Sequence, residues 1–423
     1  MLTTEYSKIL YSLQKKKNEL LTFAVIGSLL ISTMYYFTYI YYRPINSTDI
    51  PRVNVSCEED LDDLDYVNCT FEIESSDESD KISPIQSRIK IRGFFNARLP
   101  KKGYRIELSR RISLLGMRKD DDWILFAMFL DIPHMRVKLS LDMWRSLQST
   151  NPTAILPKSK YVNLYINGQF QGVYLLAEKN DRRLFGLNSP QYNENSSLIF
   201  QAGSHRKNFL EYSPDDWEQD WPNKDDNYDI IGNVLNDLIS FIRNSTDSEF
   251  FDSNTGIYSK FNKLNLVDFY LFNFFILHKD FWSQNYFIVR NNYPSLFYLI
   301  PWDFDSSFGQ YFNRKYSSKE DPTTDIISRN HLFERLLSND DFKLAAKERW
   351  FLLRQTIWTE ESIMDEVSNL HKKVQETLDI DAKMWYRLIF ENDWEKEVEE
   401  AIDHLYAWIP ERLAFCDFYF SKS

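Results

Sequence analysis

Residues 277–305 read LHKDFWSQNYFIVRNNYPSLFYLIPWDFD, and the fold of this stretch decides what its polar residues can do. Two apolar, aromatic-rich runs, NYFIVR and LFYLIPW, are separated by Asn291, Asn292 and Pro294, which predicts a β-hairpin. Adjacent strands bring the start of the first run beside the end of the second, so Asn285 should meet Asp303. Asp305 follows across Phe304, and Asp280 stands upstream of Asn285. Singly, these are ordinary polar residues: a turn cap, a backbone-bonding Asn, a solvated strand end. Together they form an oxygen-rich set suited to a hard divalent cation.

Upstream, SRIKIRGFF and KGYRIELS alternate in strand fashion around a Pro-Lys-Lys turn. VKLSLDMWRSL carries helical spacing, and in YVNLYINGQFQGVYLLAEK the pair Asn167-Gly168 between alternating runs predicts a type I′ hairpin. In FLDIPHMRVKL, Asp131 and Arg136 read as a structural ion pair. Glu211 to Asp229 is charged and turn-rich and reads as an exposed insertion spanning about 206–229. Helical character follows over 230–243 and 264–277, and again from Asp325 to Phe420. The expected class is α+β: a β-rich part over about 85–205, then a mainly helical part over about 230–423.

The 423 residues are 43% hydrophobic and include only 11 glycines, which places the chain among globular proteins. The net charge of −12 argues against a nucleic-acid partner, which usually leaves a basic footprint. Residues 20–42, LLTFAVIGSLLISTMYYFTYIYY, contain no charge and follow Lys15, Lys16 and Lys17. That pattern predicts a transmembrane signal anchor with a cytosolic tail over 1–19, hence a single-pass type II protein with its bulk in the secretory lumen or at the cell surface. Sequons at Asn46, Asn54, Asn68, Asn195 and Asn244 agree with such a compartment, where Cys57 and Cys69 could pair and leave Cys416 free. Residues 43–84 read as an acidic stalk or an entry strand region, with folded structure beginning near Ile85.

His278-Lys279-Asp280, four residues and then Asn285 match the protein-kinase catalytic-loop spacing H-R-D-x-x-x-x-N, with Asp303-Phe304-Asp305 where a kinase carries Asp-Phe-Gly. Phosphoryl transfer needs a carboxylate at the acceptor hydroxyl, and separate oxygen ligands for the metal on the phosphates. Four further segments sharpen the resemblance: RGFFNARLPKKGYRIEL, SLLGMRKDDDW, YVNLYINGQFQGVYLLAEK and PWDFDSSFG. In this order, over about Arg88 to Gly309, they resemble the CotH family of atypical kinases.

The resemblance implies a divergent bilobal kinase-like fold that uses ATP and Mg²⁺ or Mn²⁺ to phosphorylate Ser or Thr hydroxyls of a protein substrate; the net charge of −12 favours a basic one. It places Asp280 at the catalytic aspartate and Asp303 at the metal-binding aspartate, with Asn285 and Asp305 as further metal ligands. Arg92, Lys101, Lys102 and Arg105 are the cationic candidates for phosphate contact, and Glu178 is the candidate partner of a phosphate-binding lysine. The chain departs from the family at Gly93-Phe94-Phe95-Asn96, where members carry a small polar run. Two phenylalanines crowd a phosphate loop, which favours the alternative of a catalytically silent pseudokinase or adhesin on the same scaffold. Carboxylates alone also leave open a metal-dependent hydrolase or a transferase using another nucleotide.

Overall fold

The computed structural model describes residues 50–61, 65–93, 96–202, 209–223, 228–278, 284–312, 317–325, 330–390 and 393–422. Its N-terminal part is a closed barrel of seven strands: β1 (Arg52–Cys57), β2 (Val67–Glu74), β3 (Ile82–Arg92), β4 (Gly103–Ser113), β5 (Lys119–Phe126), β6 (Ser159–Ile166) and β7 (Gln169–Glu178). Neighbours run antiparallel except where β1 pairs with β6 and closes the barrel in parallel. Alternation places Ile89, Ile106 and Trp123 in one row across β3, β4 and β5, where they are fully buried inside. The other phase of the same strands presents Arg88, Lys90 and Arg92, then Arg105 and Glu107, then Asp122 and Ile124, on the outer face. The β6–β7 turn holds Asn167 and Gly168 at φ 50° and 76°, as a type I′ turn requires.

Helix α1 (Arg136–Ser146) lies between β5 and β6 in the chain. Beyond the barrel come β8 (Leu198–Ala202), β9 (Trp217–Trp221), α2 (Tyr228–Asn244), α3 (Asp247–Phe250), α4 (Lys263–Phe275), β10 (Tyr286–Arg290) and β11 (Tyr298–Pro301). The strands form one sheet in the order β11-β10-β8-β9. Helix α4 is enclosed on every side, with each residue from Asn265 to Phe275 buried and its polar Asp268 paired with Arg349, which makes it the axis of the second core. A small hairpin follows, β12 (Gln310–Phe312) with β13 (Ser317–Lys319), and then α5 (His331–Leu337), α6 (Asp340–Thr356), α7 (Glu360–Trp385), α8 (Arg387–Phe390) and α9 (Trp394–Lys422).

The α+β class stands, but three expectations are corrected. The expected transmembrane helix has no counterpart, because among the described residues no helix is long and apolar enough to cross a membrane. Residues 20–42 lie outside the described residues. The single-pass topology and the compartment deduced from it are withdrawn with the helix, and no membrane partner is assigned. Of the stalk and the entry strand region expected over 43–84, it is strands that form, and they belong to the barrel, so folded structure begins well before Ile85. Val53 and Val55 in β1, and Val67, Cys69, Phe71 and Ile73 in β2, alternate inward, a pattern hidden by the acidic residues between them. Cys57 and Cys69 pair across these strands as a disulfide, and Cys416 is a buried free thiol. Finally, the expected exposed insertion contains β9, whose Trp217 is fully buried.

Candidate active site

The β10–β11 hairpin forms as its sequence predicts, with Tyr286 opposite Pro301. The Asn285 N–H donates to Ala202 O at 3.2 Å, and its carbonyl accepts from Trp302 N at 2.8 Å, so the register sets Asn285 opposite Trp302, one residue short of Asp303. Asn285 and Asp303 both have left-handed backbone, φ 62° and 64°, which Asn and Asp tolerate better than most residues. His278, buried at the end of the α4 segment, donates from Nε2 to Asp303 O at 2.8 Å. Phe304 packs edge-on against Phe272 with ring centroids 5.9 Å apart, and the Phe308 N–H reaches Ile276 O at 2.6 Å. These contacts tie the backbone of the acidic loop to the end of α4. Its two acids, Asp303 and Asp305, line a small pocket together with Arg92, Lys101 and Phe126. Asp280, and with it residues 279–283, lies outside the described residues, as do Phe94 and Phe95.

Arg92 and Trp302 also line a second, larger cleft of about 850 Å³ between the outer face of the barrel and the β8–β11 sheet. Lys90, Arg92, Arg105 and Ile124 come from the barrel, and Ile199, Gln201 and Trp302 from the sheet. The segment after β7, Lys179 to Arg183, also lines it. Arg183 fixes that segment to the barrel through Asp120, Asp121 and Asp122, which gives the KDDDW run a mechanical role. The Arg92 guanidinium lies over the Phe126 ring at 4.9 Å; burial pulls its pKa down and the charge of Asp303 opposes this. Lys90 lies over the Tyr66 ring at 4.8 Å. Arg105 is already engaged, at 3.1 Å from Asp122 and 3.2 Å from Glu107.

The remaining sequence-predicted residues sit elsewhere. Lys102 donates to Ala97 O at 2.7 Å and holds the turn between β3 and β4. Both Glu178 oxygens accept backbone N–H groups, from Arg118 and Lys158 at 2.9 Å each, so this carboxylate pins the strand end and does not pair with a lysine. Lys101 is fully buried and donates to Asp381 Oδ2 at 2.5 Å and to Val173 O at 2.7 Å, with His134 Nε2 at 3.2 Å. Burial alone would raise the Asp381 carboxyl, but Lys101 and His134 outweigh it and hold it below the usual range.

Asp381 and His134 escape sequence reasoning because their partners are far away in the chain. One signal existed: Leu370, Val374, Leu378 and Ala382 mark the buried stripe of α7, and Asp381 shares it. Lys90 was also missed, although Arg88, Lys90 and Arg92 share one strand face at alternate positions.

A family model described as CotH kinase protein matches residues 89–416. Inner spore coat protein H of Bacillus subtilis (strain 168) is 25% identical over 300 residues, covering 68% of this chain and 76% of the relative. Among solved structures, a Golgi casein kinase is similar at 11% identity and TM-score 0.26, covering 87% of this chain and 74% of that one. The same enzyme with Mn/ADP bound scores 0.23 at 11% identity, with 87% and 75% covered. The Helicobacter pylori proinflammatory kinase CtkA scores 0.22 at 9% identity, with 78% and 99% covered. At such TM-scores no geometry transfers from these structures.

Proposed function

Because the chain belongs to the CotH kinase protein family, whose model matches most of its length, we propose that it is an ATP- and divalent-metal-dependent protein kinase that phosphorylates Ser or Thr hydroxyls of a protein substrate. The observation that carries this reading is the junction of the two cavities. Arg92 and Trp302 line both the cleft, large enough for a nucleotide, and the pocket that holds Asp303 and Asp305. A nucleotide base lying between Ile124 and the Ile199–Trp302 wall would direct its phosphates toward Arg92 and Lys90.

The residues fit a small hard cation. Among the described residues no group of three or more His, Cys, Asp or Glu side chains could hold a metal on its own. Mg²⁺ needs no such cage, since it is commonly held by one or two carboxylates, substrate phosphates and water. Asp303 and Asp305 would supply the carboxylates, with Asn285 as the neighbouring amide. The bound cation would neutralise charge on the transferring phosphoryl group. Arg92 and Lys90 would orient the phosphates, and Asp280 would hold or deprotonate the acceptor hydroxyl. Lys101 supports the pocket wall from within its buried ion pair.

Full-length protein incubated with γ-labelled ATP, Mg²⁺ or Mn²⁺ and a Ser-containing basic peptide should transfer label, and Asp303→Ala should abolish transfer. Label transfer by Asp303→Ala at the wild-type rate would refute the metal-site assignment. The narrowness of the Asp303 pocket favours a second reading, a silent nucleotide-binding or partner-binding module. That reading expects a thermal shift with nucleotide and metal, or with neither, and no phosphoprotein product.

A further inference from the structure

Helix α9 presents Trp408 and Arg412 on one face, one turn apart, toward the segment that follows the acidic loop. Trp408 Nε1 donates to Glu320 O at 2.9 Å, and the Glu320 N–H donates to Gly309 O at 2.6 Å. The indole also meets the Phe308 ring edge-on, with centroids 6.2 Å apart. Gly309 has φ 69°, and a Cβ there would overlap the indole, so this glycine satisfies both the backbone and its neighbour.

Arg412 is fully buried, and its guanidinium is bonded to four backbone carbonyls. It donates to Pro322 O at 2.8 Å and Thr324 O at 2.6 Å on one side, and to Phe274 O at 2.6 Å and Phe275 O at 3.3 Å on the other. The last two carbonyls belong to the C-terminal end of α4, whose dipole favours a cation. The same end of α4 bonds the acidic loop through Ile276 O and Phe308 N, and His278 bonds Asp303 O just beyond it. The loop with the two carboxylates is therefore closed on one side by α4, and the return of its chain is closed on the other by α9.

We propose that Trp408 and Arg412 are positioning residues for phosphoryl transfer: by clamping residues 308–309 and 320–324 to the end of α4, they hold the Asp303–Asp305 loop in the conformation that receives the metal. The proposal rests on the reading of Asp303 and Asp305 as metal ligands. The planar fork of Arg suits it to bridge carbonyls from two segments, which the single ammonium of Lys does not. Simple core packing would give stability without tuning the loop, so the test separates the two roles.

Full-length wild type, Trp408→Phe and Arg412→Lys are compared with Trp385→Phe, which loses one indole hydrogen bond to Gln171 O away from the loop. Amide hydrogen exchange over residues 303–310 is measured by mass spectrometry, and the Mn²⁺ concentration for half-maximal ADP binding by thermal shift. Trp408→Phe and Arg412→Lys should each speed exchange about tenfold there and raise the Mn²⁺ requirement several-fold, while Trp385→Phe does neither. Unchanged exchange in both would overturn the brace, and faster exchange with a wild-type Mn²⁺ requirement would overturn the positioning role. If wild type shows no Mn²⁺-dependent ADP binding, the kinase reading and the metal-tuning role fail together, and the exchange result alone decides whether α9 braces the loop.

Discussion

Gly172 lies so close to the Asp381 carboxylate that no side chain fits between them. Its φ is 110°, and the next residue, Val173, donates its N–H to Asp381 Oδ2 at 2.7 Å. The glycine in GVYLL therefore marks where an acid from α7 enters the barrel wall and meets Lys101. Gly172→Ala should displace that carboxylate and strain the backbone, costing roughly 2–4 kcal/mol. Urea unfolding should show a lower midpoint at unchanged m-value.

The ion pair itself predicts an asymmetry. Lys101→Met leaves Asp381 buried with only His134 and the Val173 N–H as partners, with an expected loss of about 3 kcal/mol. Lys101→Met combined with Asp381→Leu removes both charges and should recover a large part of that loss. A double-mutant cycle by chemical denaturation measures the difference. A double variant no more stable than Lys101→Met would mean that the contact matters for shape and not for charge.

Arg92 should behave in the opposite way, because it faces the junction of the two cavities. Arg92→Ala is expected to leave the melting temperature within a few degrees of wild type. Loss of a charge-assisted phosphate contact of about 1.4 kcal/mol weakens nucleotide binding about tenfold. Titration of ADP with Mn²⁺ present, followed by calorimetry, checks both the size and the independence from stability.

At Asp303 the backbone and the carboxylate can be tested separately. Asn also tolerates the left-handed conformation seen there, so Asp303→Asn should fold with nearly wild-type stability while losing phosphoryl transfer by at least a hundredfold. Asp303→Val places a β-branched residue at φ 64° and should destabilise the loop as well. Equal melting temperatures for the two variants would contradict the backbone part of this account.

Acid should loosen the α9 face. The His404 imidazole is drawn down from its ordinary 6.5 to about 4 by burial, and by the positive charges of Lys319 on β13 and Arg136 on α1. The unfolded chain takes up this proton near pH 6.5, whereas the folded chain resists until about pH 4. The unfolded state thus binds more protons in that window, and stability falls as the pH drops through it, by on the order of 1–2 kcal/mol once solvent screening of this half-buried group is allowed for. His404→Gln should flatten this part of a plot of unfolding free energy against pH.

Local patterns in the sequence carried much of the fold. The Asn167-Gly168 turn, the β10–β11 hairpin and α1 are short-range features, set by turn chemistry and by periods of two or 3.6. Strands β1 and β2 were legible in the same way, but the acidic residues between them suggested a solvated stalk. Their burial depends on partners, β3 and β6, that no local window contains. The site divides along the same line. The hairpin sets Asn285 opposite Trp302, next to Asp303, and Arg92 was a cationic candidate from the segment RGFFNARLPKKGYRIEL. Asp381, His134, Trp408 and Arg412 act through helices and loops that only the tertiary fold brings to the site. Lys101 and Glu178 carried the right chemistry for a phosphate site, but Lys101 is held by a buried carboxylate and Glu178 by two backbone amides.

The parallel pairing of β1 with β6 also sets an order of events during synthesis. When β1 leaves the ribosome it can pair with β2 on one edge, but its other edge has no partner until residues up to Ile166 have followed. Until then Val53 and Val55 belong to an open, curling sheet with an exposed apolar face. Barrel closure is thus a late, long-range step, and slow translation between β2 and β6 would lengthen the interval in which nascent chains can aggregate.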